Sequence, residues 1–336
     1  MIHEAIALLV ERRDLSRAEM ARAMGEIADG GATPAQVGAF LAALRVKGET
    51  VDEIAGAAEV MRARAERVRV DRDVFVDTCG TGGDGRNTFN ISTTAAFAVA
   101  GAGVAVAKHG NRSVSSRCGS ADLLAALGVD VEAPKERVER CIADVGIGFL
   151  FAPRLHPAFK AVAGIRRELA IRTVFNLLGP LANPAGARHQ VLGVYEARWV
   201  PVIGGVLAAL GARRAFVVHG EGLDEIAVTG ATKVADVRDG RVELFTVTPE
   251  ELGLPRWPEN AIAGGDADRN AAIARDVLAG QRGAPRDAVL ANAAAALVVA
   301  GAAPDLRTGV ALAAEAIDRG AAREKLDLLV AASRAP

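Results

Sequence analysis

Residues 77–88 read DTCGTGGDGRNT, with glycines at 80, 82, 83 and 85. Glycine has no Cβ, so such a run lets the backbone approach a ligand closely and aim several N–H groups at one point. Asp84, Asn87 and Thr88 add polar side chains, and Asn90, Ser92, Thr93 and Thr94 follow directly. The apolar run 74–76 before the loop predicts a strand. The Ala- and Val-rich stretch 92–107 after it predicts a helix and a second strand. Ser92, Thr93 and Thr94 would then open the helix, where backbone N–H groups and the helix dipole favour an anion. The predicted chemistry is phosphate binding, compatible with a metal ion. The loop lacks the Gly-Lys-Ser/Thr of a P-loop and is not a clean GxGxxG fingerprint.

Three further segments carry candidate chemistry. Residues 108–116, KHGNRSVSS, follow the predicted strand 104–107. Lys108 and Arg112 supply charge for a phosphate, and Asn111, Ser113, Ser115 and Ser116 supply neutral hydrogen bonds. Gly110 permits close approach, and His109 and Val114 complete the run. A solvated polar loop has the same composition; its place one βα unit after the first loop favours binding. Next, GEGLDE at 220–225 follows an apolar run, and the adjacent carboxylates of Asp224 and Glu225 suit Mg²⁺, which shares its shell with substrate phosphates and water. Acidic pairs are common on surfaces, so this motif gains weight only from the phosphate site. Finally, 156–184 contains His156, Arg166, Arg167, Gly179 and several prolines. An arginine here is either a surface charge or a clamp for a carboxylate.

Two kinds of element must position these residues. Residues 1–72 read as three or four helices, with capping-box patterns at Ser16/Glu19, Thr33/Gln36 and Thr50/Glu53. Pro34 stands at a first helical position, Gly30–Gly31 and Lys47–Gly48 mark stops, and the charged segment 62–72 closes the unit. From residue 74 the rhythm changes. Predicted strands at 74–76, 104–107, 147–151, 191–194, 214–219 and 242–245 alternate with helical stretches, which predicts an α/β fold with a mostly parallel sheet. Ligands in such sheets lie beyond the carboxyl ends of the strands, where the polar motifs fall. Residues 153–184 break the rhythm and are expected to cross back to the helices. The expected division is a helical domain over 1–72, joined by part of 157–185, and an α/β domain over 73–156 and 186–336.

The chain has 336 residues, of which 51% are hydrophobic but only 4% aromatic, so close packing of Ala-rich helices is expected rather than an aromatic core. The formal net charge of −1, with no basic tail, argues against nucleic-acid binding. The three cysteines form no CxxC pair, which disfavours a disulfide framework or zinc site. The N-terminus shows no signal-peptide pattern, and no apolar stretch is long enough to span a bilayer. A cytoplasmic protein is expected.

Taken together, the blocks at 77–94 and 108–116, with Cys118 to Asp122, 156–184 and GLDEI at 222–226, resemble the anthranilate phosphoribosyltransferase family over nearly the whole chain. The resemblance implies a small helical domain hinged to a nucleoside-phosphorylase-like α/β domain, use of Mg²⁺, and a homodimer formed through the helical domain. It implies transfer of the phosphoribosyl group of 5-phosphoribosyl 1-diphosphate to anthranilate in tryptophan biosynthesis. Gly80, Gly83, Asp84, Thr88, Asn90, Ile91, Ser92, Thr93, Lys108 and Ser120 would hold the donor, with residues 109–116 around it. Ser92, Asp224 and Glu225 would ligate magnesium. Asn111 and Arg166 would contact anthranilate, with His109, His156 and Gly179 near its path, and Lys108, Asn111 and Arg166 would be catalytic. Glu221 and Ala227 stand where many relatives have Asp and Ser or Thr, a departure that spares the metal pair. The alternatives are a nucleoside phosphorylase of the related fold and a nucleic-acid-binding relative without the activity.

Overall fold

The structure, a computed structural model, describes residues 1–113 and 117–335. Four helices open the chain: α1 (Ile2–Val10), α2 (Arg17–Ala28), α3 (Pro34–Lys47) and α4 (Val51–Arg64). All three predicted capping boxes form. In each, the hydroxyl of Ser16, Thr33 or Thr50 accepts from the N3 backbone N–H at 3.3 Å, and the N3 side chain accepts in return at 2.8 Å. Gly48 ends α3 with φ +94°, a conformation that favours glycine.

The α/β portion continues with β1 (Phe75–Gly80), α5 (Ile91–Gly101), β2 (Ala105–Gly110), α6 (Ser120–Leu127), α7 (Lys135–Arg140), β3 (Ile147–Phe151) and α8 (Ala152–Leu155). Then come α9 (Val162–Leu169), α10 (Phe175–Leu181), β4 (His189–Gly193), α11 (Trp199–Ala209), β5 (Arg214–Gly220), β6 (Thr232–Arg238) and β7 (Arg241–Val247). Helices α12 (Ala267–Leu278), α13 (Ala284–Val299), α14 (Leu306–Asp318) and α15 (Ala321–Arg334) complete it. The seven strands form one sheet in the order β3-β2-β1-β4-β5-β6-β7. The first five strands run parallel, and β6 and β7 are antiparallel additions at one edge.

The sheet corrects the sequence reading at two points. Strand β6 is absent from the six predicted strands, because Lys233 and Asp236 interrupt its apolar pattern. Its signal is the turn after it: Asp239 (φ +46°) and Gly240 (φ +84°) form the Asp-Gly hairpin link to β7. In addition, β1 and β2 run on into the motifs. Asp77 to Gly80 pair with Gln190 to Gly193, and Lys108, His109 and Gly110 pair with Phe149, Leu150 and Phe151. Lys108 and His109 are therefore strand residues held on a rigid ladder, not members of a loop.

One sheet face packs through Val76, Val191, Phe216 and Val218 against α5 and the alanines of α13, as the low aromatic content predicts. The opposite face, through Leu192, Val217 and Ala235, packs against α11 and joins the core of α1–α4. Helix α9 lies against α3, and α10 against α4. The three connecting strands of chain are stitched side by side, Glu66 N donating to Leu155 O (2.9 Å) and Val68 N to Pro184 O (3.3 Å).

Glu53 is the polar pin of the bundle. Fully buried, it accepts from Leu15 N, Thr50 N and Lys47 Nζ at 2.8–2.9 Å. Glu53→Ala removes one of the two carboxylates on the Lys47 ammonium, leaving Asp14 at 2.7 Å, and leaves the Leu15 and Thr50 backbone donors without their acceptor. We expect a loss of about 3 kcal/mol, read from urea unfolding monitored by circular dichroism. A change below about 1 kcal/mol would show that the pin is dispensable.

Candidate active site

The cleft is built at the carboxyl ends of β1, β2 and β4 and has a volume of about 350 Å³. The floor is the glycine loop. Gly82 (φ +63°) and Gly83 (φ +76°) sit in succession in the left-handed region, which turns the chain sharply at the end of β1. The acidic loop lies directly on the strand ends: a Cβ on Gly193 would collide with the Asp224 carbonyl oxygen. Only glycine allows that contact, and it brings Asp224 and Glu225 from a distant part of the sequence into the floor.

Helix α5 presents its N-terminus to the same space. Asn90 occupies the N-cap position without capping through its side chain. Its amide instead donates to Cys118 O (3.0 Å) and accepts from Asn270 Nδ2 (2.9 Å). The first-turn Ser92 N–H donates to Glu225 Oε1 (3.1 Å), and Gly82 N donates to Asp224 Oδ2 (2.7 Å). Both carboxylates thus rest on backbone donors of the anion cradle. Burial raises the pKa of each, with Asp84 adding to the effect on Asp224, and Asp224 to that on Glu225.

Lys108, almost wholly buried, extends Nζ to the Thr78 carbonyl and lies 3.5 Å from Ser92 Oγ. Burial lowers its pKa, while Asp77, Glu225 and Asp224 oppose that shift. Beneath it, Asp77 accepts from His109 N (3.1 Å) and from Asn183 Nδ2 (2.8 Å). His109 Nδ1 meets the Gly179 carbonyl at 3.0 Å, so Nδ1 carries the proton and Nε2 is an acceptor without a partner among the described residues. Burial depresses its pKa to about 3 and that of His156 to about 4, so both rings are neutral at pH 7.

The far wall comes from the crossing segment. Arg166 on α9 lies over the Phe175 ring at 5.5 Å from its centroid, and Asn176, Gly179 and Pro180 of α10 continue that wall. Burial lowers the Arg166 pKa, and among the described residues no carboxylate forms an ion pair with it. A desolvated guanidinium that faces a cleft without a counter-ion is a receptor for a ligand anion.

Of the sequence-predicted residues, Gly80, Gly83, Asp84, Thr88, Asn90, Ser92, Thr93, Lys108, His109, Gly110, Asn111, Arg112, Ser113, Ser120, Arg166, Gly179, Asp224 and Glu225 all line this one cleft. Two do not. The Ile91 side chain points into the core of the α/β portion, because α5 buries that face. His156 lies behind His109, with ring centroids 5.2 Å apart, and shapes the wall without lining it. Val114, Ser115 and Ser116 lie outside the described residues. Arg112 is held by Asp122 (3.3 Å) and Glu132 (3.2 Å), so its charge is already matched.

Sequence reasoning missed the supports: Asp77, which heads the glycine motif, together with Asn183 and Gln190, and Phe175 on the acceptor wall. Asp77 had a signal, a lone acidic residue in an otherwise buried strand. Gln190 had none.

Among the described residues no group of three His, Cys, Asp or Glu could hold a metal ion alone. Two half-buried carboxylates with raised pKa values, beside the Ser92 hydroxyl, nevertheless fit Mg²⁺, which takes one or two protein carboxylates and draws the rest of its shell from phosphate and water.

Residues 3–65 match the model for the glycosyl transferase family helical bundle domain, and 72–323 match that for the a/b domain of the same family. The chain is 77% identical over 336 residues, the full length of both proteins, to an anthranilate phosphoribosyltransferase of Anaeromyxobacter dehalogenans. It superposes with a TM-score of 0.94 and 48% identity on the anthranilate phosphoribosyltransferase of Thermus thermophilus, covering 98% of this chain and 99% of that one. A Saccharomyces cerevisiae anthranilate phosphoribosyltransferase, solved in complex with PRPP and Mg, gives a TM-score of 0.89 at 29% identity over 99% and 97% of the two chains. Similarity of this extent spans both domain models and every strand that builds the cleft, and the chain belongs to the anthranilate phosphoribosyltransferase family.

Proposed function

We propose that this cleft transfers the phosphoribosyl group of 5-phosphoribosyl 1-diphosphate to the amine of anthranilate, giving N-(5-phosphoribosyl)anthranilate and pyrophosphate in tryptophan biosynthesis. The observation that carries the reading is the half-buried Arg166 guanidinium, which forms no ion pair with a carboxylate among the described residues, on the wall of the cleft that holds the anion cradle. One substrate must be a carboxylate and the other a phosphate, and the two must meet between them.

In this reading the donor lies along the glycine loop, held by Gly80, Gly83, Asp84, Thr88, Asn90, Thr93 and Ser120. Lys108 sits at the diphosphate end, and Arg166 and Asn111 orient the anthranilate carboxylate and ring. Asn111 Oδ1 already accepts from Arg112 N at 2.7 Å, which leaves its amide N–H₂ to donate to the substrate. Ser92, Asp224 and Glu225 would hold Mg²⁺, which supplies charge neutralisation for the diphosphate oxygens. The neutral aromatic amine attacks C1 of the ribose as the C1–O bond breaks, and pyrophosphate leaves with the electron pair. The resulting arylammonium is acidic and sheds its proton, so no strong base is required. Positioning two substrates in one cleft supplies up to about 7–11 kcal/mol in favourable cases, and fixed charges at the leaving group add to it.

The proposed division is a helical unit, 1–72 with part of 157–185, and an α/β unit comprising 73–156 and 186–336. A homodimer through the helical unit is supported by exposed Val10 and Val46 on its surface, and a cytoplasmic location by the buried, reduced thiols of Cys79 and Cys141. The direct assay is loss of anthranilate fluorescence on mixing with 5-phosphoribosyl 1-diphosphate and Mg²⁺. Turnover of thymidine or uridine with phosphate instead would favour the phosphorylase alternative.

Arg166→Ala should raise the anthranilate KM at least about 30-fold, while the donor KM moves less than about threefold. Equal effects on both would remove Arg166 as a carboxylate clamp. The acidic pair gives a thermal readout. Its folded pKa values lie above the unfolded ones, so its contribution to stability is full below about pH 4 and is lost as pH rises through the folded values. Asp224→Asn with Glu225→Gln should therefore equal or exceed the wild-type Tm at pH 8 without Mg²⁺, with the advantage shrinking towards pH 5. The variant should also lose the Mg²⁺-induced rise in Tm. A rise as large as in wild type would place the metal elsewhere.

A further inference from the structure

Arg172 lies within the segment 156–184 but is not among the candidate residues read from it, and it does not line the cleft. It stands on the short link between α9, which carries Arg166, and α10, which carries Phe175 and Gly179. Its guanidinium nevertheless reaches the glycine loop, Nη2 donating to the Gly83 carbonyl oxygen at 2.5 Å. The same group lies over the Tyr195 ring at 4.2 Å from the centroid, and Nη1 is 3.3 Å from Glu196. Tyr195 is itself fastened to the loop: its N–H donates to Thr81 Oγ1 at 3.0 Å, and Thr81 N donates to Gly193 O at 2.9 Å.

Gly83 occupies the left-handed region between two other glycines with positive φ, Gly82 and Gly85. Such a run has little intrinsic preference between peptide orientations. A flip of the peptide joining Gly83 and Asp84 would turn a carbonyl dipole into the anion cradle, where it repels phosphate. In a planar trans peptide the C=O and the following N–H point in opposite directions. A guanidinium that holds the Gly83 carbonyl outside the cleft therefore aims the Asp84 N–H away from itself, towards the donor side.

We propose that Arg172 is a positioning residue that latches the glycine loop in its anion-binding orientation and ties it to the segment bearing the acceptor clamp. The inference rests on the transferase reading of the cleft for its consequence, but not for the latch. Binding of a phosphorylated donor is strengthened without any contact between Arg172 and the donor. Because the latch springs from the link next to α9, ordering of the donor loop and placement of Arg166 are mechanically joined.

The test separates latch from consequence. Hydrogen–deuterium exchange on the ligand-free protein should show peptides over 80–88 exchanging about tenfold faster in Arg172→Ala, the scale of one lost charge-assisted hydrogen bond. Glu196→Gln, which keeps the Gly83 contact, should leave them unchanged. Calorimetry with 5-phosphoribosyl 1-diphosphate and Mg²⁺, without anthranilate, should show about tenfold weaker binding to Arg172→Ala. Arg172→Lys should recover part of that loss. Unchanged loop exchange, or faster exchange throughout the molecule with a fall in Tm, would overturn the latch. Loop exchange that rises while donor affinity stays at the wild-type value would overturn its role in binding. A wild-type protein that binds no donor, yet shows the Arg172-dependent loop protection, would count against the transferase reading and leave the latch standing.

Discussion

The buried carboxylate of Asp77 is the knot on which the cleft depends. One oxygen accepts the His109 backbone N–H of β2, and the other accepts Asn183 Nδ2 from the crossing segment and Gln190 Nε2 of β4. Gln190 also donates to Pro180 O at 2.6 Å, and Asn183 to Ala107 O at 2.9 Å. Three parallel strands and the chain returning from the helices therefore converge on one group. Buried polar networks of this kind rigidify only when every member is satisfied, since one missing partner exposes the others to the full cost of desolvation. Here the network places Gly179 against His109, and with it the acceptor wall against the donor floor.

Above that knot, the electrostatics of the cleft are uneven. Arg166 is half-buried and forms no ion pair with a carboxylate among the described residues, while Asp224 and Glu225, also half-buried, lie beside a third carboxylate, Asp84, and have raised pKa values. His109 and His156 are neutral, and each disfavours charge. A site arranged only for stability would pair Arg166 with one of the acids. Keeping them on opposite walls leaves each to be satisfied by a ligand of opposite sign, so stability is exchanged for selectivity between a carboxylate acceptor and a diphosphate donor.

Much of this is legible in the residues themselves. The capping boxes at Ser16, Thr33 and Thr50 fix helix starts by local hydrogen bonds, and local signals need no tertiary knowledge. The glycine loop and the Lys108 segment are legible as an anion site because each follows an apolar strand. Strand β6 is not, because its burial comes from pairing with β5 and β7 rather than from a clean apolar pattern. The ends of β1 and β2 read as loop because polar residues are rare in a buried strand unless a network holds them, and that network is long-range. Sequence alone leaves Arg166 between surface charge and clamp, because its half-buried place on the cleft wall is set by the packing of α9 against the bundle.

The geometry also explains why the two halves of the site come from two kinds of structure. The donor needs many backbone N–H groups at one point, which strand ends and a helix N-terminus provide. In the proposed reading the acceptor needs one cation and an apolar surface, for which Arg166 and Phe175 are available from helices packed on the bundle. The wall that carries Arg166 rides on a segment that enters and leaves the bundle beside 65–68. Contacts that cross between the walls tie that segment to the donor side. His109 to Gly179 is one, and Arg172 to Gly83 is another. With both in place, the segment that carries Arg166 and the glycine loop are linked directly.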